Sequence, residues 1–248
     1  MSFCKHCVEG VRHEGTAEGT YEEIGGIKTY VAKPKGDYPK DKAILFLTDI
    51  FGLELPNNPL LVDDYARNGF QVYAPDLFEG DPAPANLLTT EGTPFDLQTW
   101  FPKHSGEHTG KRARAVLEAL KAQGITRWGA VGYCYGARLV WDLSYDKLIH
   151  VSACSHPSLI QPEDVEKYAK ECDQPLLINS CETDPQFPAE KQELADKVFA
   201  DYKPGYSRPY FPGATHGFAV RGDLSDPKVK AAKEGAFKNT VEWFIKYL

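Results

Sequence analysis

Cys134 stands in the run "VGYCYGA", Val131–Ala137, between Gly132 and Gly136. A G-x-S-x-G frame marks a sharp strand-to-helix turn that lifts a nucleophilic serine clear of its neighbours, and here a thiol takes the serine's place. Downstream, in order, "CETDPQFP" offers Asp184 and "ATHGF" offers His216. A thiol, an acid and a base make one chemistry. The carboxylate holds the imidazole in a single tautomer, the imidazole takes the thiol proton, and the thiolate attacks an acyl carbon. Each residue singly has a plainer reading: Cys134 as a small side chain in a glycine-rich turn, Asp184 as a turn-former before Pro185, His216 as a loop histidine. The order nucleophile, acid, base is the one this kind of elbow requires.

For the three to meet, each must sit at the same edge of a sheet. The chain reads as alternating strands and helices, which implies an α/β fold with a mainly parallel sheet and helices on both faces. "TYEEIGGIKTYVA" has two alternating runs around Gly25 and Gly26, a hairpin signal. "KAILFLT" is a nearly continuous apolar run, as in a strand buried on both faces. "NNPLLVDDYARNGF" reads as a helix with an Asn cap and a proline in its first turn, followed by the strand "FQVYAPD". "RWGAVGYC" is a strand that ends at the cysteine, and "YGARLVWDLS" has helical spacing. Asp184 then follows the strand "PLLINSC" and His216 follows "SRPYFPG". Ligands of such sheets bind at the carboxyl ends of the strands. Helices are read in "PEDVEKYAKE", "PAEKQELADKVFADY" and the terminal "DPKVKAAKEGAFKNTVEWFIKYL", and another from about Glu107 to Gln123, stopped by Gly124. The stretch from Pro75 to His108 is rich in Pro, Gly and Thr without a clear period, so it is expected to form a functional lid or wall.

The remaining histidines are weaker candidates. His104 and His108 fall in that polar stretch and are expected to be solvated, and His150 starts the strand "IHVSACS". His156, past the end of the same strand, either lines the pocket or makes structural hydrogen bonds. The six cysteines are expected to be free thiols. "CKHC" at Cys4–Cys7, with His6 and His13 nearby, is half of a metal site, but a tetrahedral zinc usually takes a second pair that does not follow. An ordinary or redox-labile tail over residues 1–19 is the preferred reading, with no metal and no organic cofactor.

With 248 residues, 42% hydrophobic and 25% charged, the chain has the composition of a globular protein, read here as one domain over 1–248. A net charge of −7 disfavours nucleic acid, which needs a basic surface. No apolar run is long enough for a bilayer, and the polar start has no apolar signal region, so a cytoplasmic protein with a small-molecule substrate is expected.

Together "TDIFG", "APDLF", "GYCYGA", "CETDPQFP" and "THGF" resemble the dienelactone hydrolase family of α/β-hydrolases. The opening "CKHCVEGVRHEG", with "IGGIKTYVA", is similar to the family's fungal branch. The resemblance implies a sheet of about eight strands and a Cys-His-Asp triad of Cys134, His216 and Asp184. It also implies an oxyanion hole made by the backbone N–H groups of Ile50 and Tyr135. In bacterial members a glutamate before that isoleucine pairs with an arginine past the catalytic histidine and takes part in switching the cysteine to its active form. Here Asp49, one methylene shorter, holds the acid's position, and Arg221 in "HGFAVRG" is the arginine, one residue farther along. A second arginine that binds the substrate carboxylate has no match in "DLFEGDPAP", which carries Glu79 and Asp81. A neutral ester or lactone therefore fits better than dienelactone.

The expected function is hydrolysis of a small ester or lactone through a cysteinyl acyl-enzyme, with a general carboxylesterase as runner-up. Two rivals belong to other classes: a small-molecule-binding protein without productive geometry, and a redox sensor acting through Cys134 or Cys4 and Cys7. Turnover of a model ester separates them from an enzyme.

Overall fold

A computed structural model describes residues 9–88 and 95–248. Its strands are β1 (Thr20–Ile24), β2 (Ile27–Ala32), β3 (Lys42–Leu47), β4 (Gln71–Pro75), β5 (Arg127–Tyr133), β6 (Val151–Ser155), β7 (Leu176–Thr183), β8 (Tyr206–Ser207) and β9 (Tyr210–Thr215). Its helices are α1 (Asn57–Arg67), α2 (Leu97–Lys103), α3 (Gly106–Ala122), α4 (Tyr135–Tyr145), α5 (Pro162–Glu171), α6 (Ala189–Val198) and α7 (Pro227–Tyr247). The strands run in the order β1-β2-β4-β3-β5-β6-β7-β8, and β9 also pairs with β7. The β1–β2 and β2–β4 pairs are antiparallel and the rest are parallel. The α/β architecture read from the alternation is the one observed, with nine strands among the described residues.

Strand β3 shows why the sheet is central. Successive side chains point to opposite faces, so Ala43, Leu45 and Leu47 enter one core while Ile44 and Phe46 enter the other. Helices α3 to α6 cover the first face through residues such as Leu117, Leu139, Tyr168 and Ala195. Helices α1 and α7 cover the second through Val62, Tyr65, Phe237 and Phe244. Each fully buried Leu or Phe contributes roughly 1.5–3 kcal/mol. Both faces are sealed, so chemistry is left to the strand ends.

Residues 9–19 are not a loose tail. Arg12 binds the buried Asp64 at 2.6 Å, and the Glu18 N–H donates to Asp63 at 2.6 Å, which straps the segment to α1. Cys4 and Cys7 lie outside the described residues. Helix α1 is preceded by Pro56 instead of an Asn cap: both asparagines fall inside the helix, where the Asn57 amide donates to Val220 O at 2.6 Å and the Asn58 amide to Gly52 O at 2.7 Å. The stretch from Pro75 to His108 contains more regular structure than its composition suggests. Asp96 caps α2 and Ser105 caps α3, each through a side-chain oxygen.

Candidate active site

Cys134 is the hinge between β5 and α4. Its backbone takes φ 50° and ψ −110°, a conformation costly for any residue but glycine. Two glycines make room for the turn. A Cβ on Gly136 would lie 2.1 Å from the Leu47 carbonyl oxygen, and one on Gly132 would lie 2.4 Å from the Gly136 oxygen. The first turn of α4 therefore rests directly on the end of β3. The thiol is 9% exposed and sits at the positive end of a helix, where a thiolate is favoured.

The acid and the base come from one register. Thr183 and Thr215 are partners on the parallel pair β7–β9, and Asp184 and His216 are the next residue on each strand. His216 Nδ1 lies 2.8 Å from Asp184 Oδ1. The same oxygen accepts from the N–H groups of Gln186 (2.9 Å) and Phe187 (3.0 Å), which fix the buried carboxylate. Cys134 acts on the same imidazole from its other side. Burial of the imidazole works against its charged form, but the Asp184 bond and the neighbouring Cys134 outweigh it and raise His216 to about 9. A proton on His216 and a negative sulfur beside it are mutually supporting.

Ile50 and Tyr135 follow the ends of the neighbouring strands β3 and β5. Leu47 and Gly132 are register partners, and Ile50 and Tyr135 each lie three residues beyond them. Tyr135 opens α4, so its N–H has no acceptor within the helix. Next to Ile50, Asp49 is fully buried and hydrogen-bonds to Arg221, whose guanidinium lies 4.6 Å over the Phe51 ring. Burial pushes the Asp49 carboxyl up, while Arg221, the Asn58 amide and the Phe51 N–H pull it down. The shorter acid and the displaced arginine thus meet. The Asn58 amide, donating to Gly52 O (2.7 Å) and Asp49 Oδ1 (3.2 Å), ties this turn to α1.

His156 follows the same row logic, because Tyr133 and Ser155 are partners and Cys134 and His156 come next. Its ring is fully buried, 5.1 Å edge-on from His216 and 5.6 Å from Phe218. Neither ring nitrogen has a hydrogen-bond partner among the described residues, so the structural hydrogen bonds expected of it are not what the structure contains. Burial, and then the neighbouring His216, drive it well below the ordinary histidine range, to the neutral form. Sequence reading missed Ser158, whose Oγ lies 3.2 Å from Cys134 Sγ. The available signal was its place just past the end of the strand "VSACS".

The connection after β4 packs over this edge. The Ala83 N–H donates to Ile50 O at 2.9 Å, and Phe78 and Phe101 lie 5.6 and 6.1 Å from the Tyr135 ring. His104 is buried and not solvated: Nε2 meets Asp81 Oδ2 at 3.0 Å, and its carbonyl accepts from the Tyr135 hydroxyl at 2.7 Å. His108 belongs to α3 and lies 3.4 Å from Glu79, which also pairs with Arg112. The acidic residues of "DLFEGDPAP" are engaged in holding the wall. Elsewhere, burial pushes the thiols of Cys154, Cys172 and Cys181 up to about 12.

A hinged thiol and an oriented imidazole thus stand at one sheet edge. The family model described as "Dienelactone hydrolase family" matches residues 27–248. The chain belongs to the dienelactone hydrolase family. It is accordingly a carboxylic ester hydrolase of the dienelactone hydrolase type. Among similar proteins, hydrolase pyvD of Aspergillus violaceofuscus is 36% identical over 98% of this chain and 96% of its own. Dienlactone hydrolase 2 of Gibberella moniliformis is 34% identical over 96% and 92%. The crystal structure of dienelactone hydrolase from Anabaena variabilis, 14% identical, superposes with a TM-score of 0.64 over 93% of this chain and 97% of that one, a likeness of fold. No helix among the described residues is long and apolar enough to cross a membrane.

Proposed function

We propose that this dienelactone hydrolase family member cleaves a small, neutral ester or lactone through a cysteinyl acyl-enzyme, working as a single cytoplasmic domain. The reading rests on one observation above the rest: the Asp184–His216 bond of 2.8 Å, with Cys134 acting on the same imidazole. The Cys134 thiolate attacks the acyl carbon, and the backbone N–H groups of Ile50 and Tyr135 receive the charge that develops on the carbonyl oxygen. Collapse of the tetrahedral adduct breaks the acyl C–O bond, and His216 gives its proton to the departing oxygen. In a lactone that oxygen stays on the acyl chain as a hydroxyl. His216 then takes a proton from water, the hydroxide attacks the thioester, and the acid leaves as the Cys134 sulfur is released. Asp184 keeps the imidazole in place throughout. The four cysteines among the described residues are free thiols, which supports a reducing compartment.

The test is a hydrolysis screen over neutral lactones, short aryl esters and anionic lactones, with Cys134→Ala as control. Turnover that disappears in the variant is expected. Undiminished turnover in Cys134→Ala, in a protein that keeps its fold, would remove the cysteine from the mechanism.

A further inference from the structure

The loop from β6 to α5 passes directly beside the nucleophile in a shape its sequence does not prefer. His156 and Leu159 both take left-handed backbone, φ 40° and 62°. Such a conformation is costly for a residue with a Cβ and persists only where surrounding structure imposes it. The imposing bonds go to the main chain. The His156 N–H donates to Asn179 O at 2.9 Å, the Ser158 N–H to Cys134 O at 3.0 Å, and Lys191 Nζ to Ile160 O at 2.7 Å. Leu159 thus follows a residue bonded to Cys134, about 3.8 Å farther along the chain. Glycine or asparagine would fill the position at less cost. A leucine stands there instead, and it is 36% exposed. A lone exposed leucine is ordinary, but one that is also strained and beside a nucleophile calls for a partner.

The two faces of the sheet divide the surroundings of Cys134. His216 lies edge-on to His156, which meets Phe218, a member of the core under α1 and α7. Ile160, the residue after Leu159, belongs with Cys134 to the opposite core, at whose edge Ile50 and Phe101 are only partly buried. The proton for the leaving oxygen comes from His216, so the alcohol half of an ester is drawn to the first side. The acyl half is left with the second side, which is apolar.

We propose that Leu159 is a specificity-determining residue that contacts the acyl chain of the substrate, and that the substrates are small esters or lactones whose acyl part is apolar. This rests on Cys134 being the nucleophile and His216 the proton donor. A bound chain covers the exposed leucine and leaves water itself, and each methylene so buried is worth about fourfold in binding. The clamped loop presents the side chain before substrate arrives, so little ordering is left to be done on binding. The strain at Leu159 is then the cost of an apolar contact that glycine or asparagine cannot make.

The experiment compares p-nitrophenyl hexanoate with p-nitrophenyl acetate, which share a leaving group and differ in acyl chain. The quantity read is the ratio of their kcat/KM values in the whole protein. In Leu159→Asn, which suits the backbone and loses the apolar contact, the ratio should fall about 5–10-fold. Leu159→Met, apolar and of similar volume, should stay within about twofold of the parent. Leu159→Gly should fall like Leu159→Asn and decides the matter if the asparagine variant fails to fold. A second reading needs no ester: labelling of Cys134 by N-hexylmaleimide against N-ethylmaleimide, followed by mass spectrometry. The sulfur adds to one carbon of the C=C bond and a proton to the other, and the hexyl-to-ethyl rate ratio should fall in the same variants. Parent-like ratios in folded Leu159→Asn and Leu159→Gly would overturn the proposal while leaving the hydrolytic reading intact. Maleimide ratios that fall in a protein that cleaves no ester would keep Leu159 as the chain contact and overturn the hydrolytic reading instead.

Discussion

Asp184 Oδ1 and His216 Nδ1 are 2.8 Å apart because Thr183 and Thr215, the residues just before them, are partners on neighbouring parallel strands. The His216 backbone N–H also donates to Thr183 O at 2.9 Å, so a bond between β9 and β7 sets the start of the loop that carries the imidazole. The orientation of the imidazole is thus inherited from strand register. A side chain fixed in this way loses little entropy when it transfers a proton.

His216→Ala should lower kcat by about 10²–10⁴-fold, the usual worth of a positioned general acid–base, with little change in KM or in far-UV circular dichroism. Asp184→Asn should lose a comparable amount or less, because it disturbs the tautomer and leaves the nucleophile in place. Steady-state kinetics on a model ester measure both. Parent-like turnover in His216→Ala would refute the assignment.

The pH dependence follows from the direction of the His216 shift. The Asp184 bond and the neighbouring Cys134, outweighing burial, raise it to about 9, so the imidazolium proposed to protonate the leaving oxygen survives across the neutral range. kcat/KM should fall on the alkaline side with a midpoint near 9, and the imidazole resonances should titrate there. Cys134→Ala removes one of the two groups that raise it, so its NMR midpoint should move down, while the Asp184 bond keeps it above the ordinary value. A parent midpoint at the free-histidine value would contradict the ion-paired description.

The elbow makes a prediction about stability. Gly136→Ala drives a methyl to within 2.1 Å of the Leu47 backbone oxygen, and neither backbone segment can yield without breaking the β3–β5 ladder. Overpacking a rigid site costs about 1–3 kcal/mol and occasionally more, and contact with backbone places this one at the upper end. Urea denaturation should show a loss of roughly 3 kcal/mol, with activity lost in parallel. A midpoint within error of the parent's would mean that the turn is not packed as described.

The elbow was legible because its determinants are local. Gly132, Cys134 and Gly136 occur within five residues, and Asp184 and His216 each lie just past a run that reads as a strand. The alternation of β3 between two cores was likewise visible from "KAILFL". His104 was not, because its burial comes from Asp81 and Tyr135 reaching it across the fold, whereas its sequence neighbours are polar. Ser158 was hidden for a different reason. Its contact depends on the pairing of β6 with β5 and on left-handed backbone at His156 and Leu159, residue types that give no signal for it. The meeting of Asp49 with Arg221 was legible only through the family resemblance, since 172 residues separate them.

Substrate charge is where that pairing matters. Arg221 hydrogen-bonds to Asp49 and lies over Phe51, so its charge is already answered before a substrate arrives. Glu79 and Asp81 are held by Arg112 and His104 in the wall, and they add no positive potential. Moving a carboxylate from water into such a site without a cation of its own is costly. Recruiting Arg221 would instead leave the buried Asp49 unpaired. Neutral lactones and short aryl esters should therefore show kcat/KM at least about tenfold above dienelactone, a difference of ~1.4 kcal/mol, on one preparation at neutral pH. Arg221→Ala should destabilise the fold by about 3–5 kcal/mol through the stranded Asp49, and Arg221→Ala with Asp49→Asn should recover part of that loss. A preference for dienelactone that collapses in the double variant, at parent-like stability, would show that Arg221 leaves Asp49 to bind the substrate carboxylate.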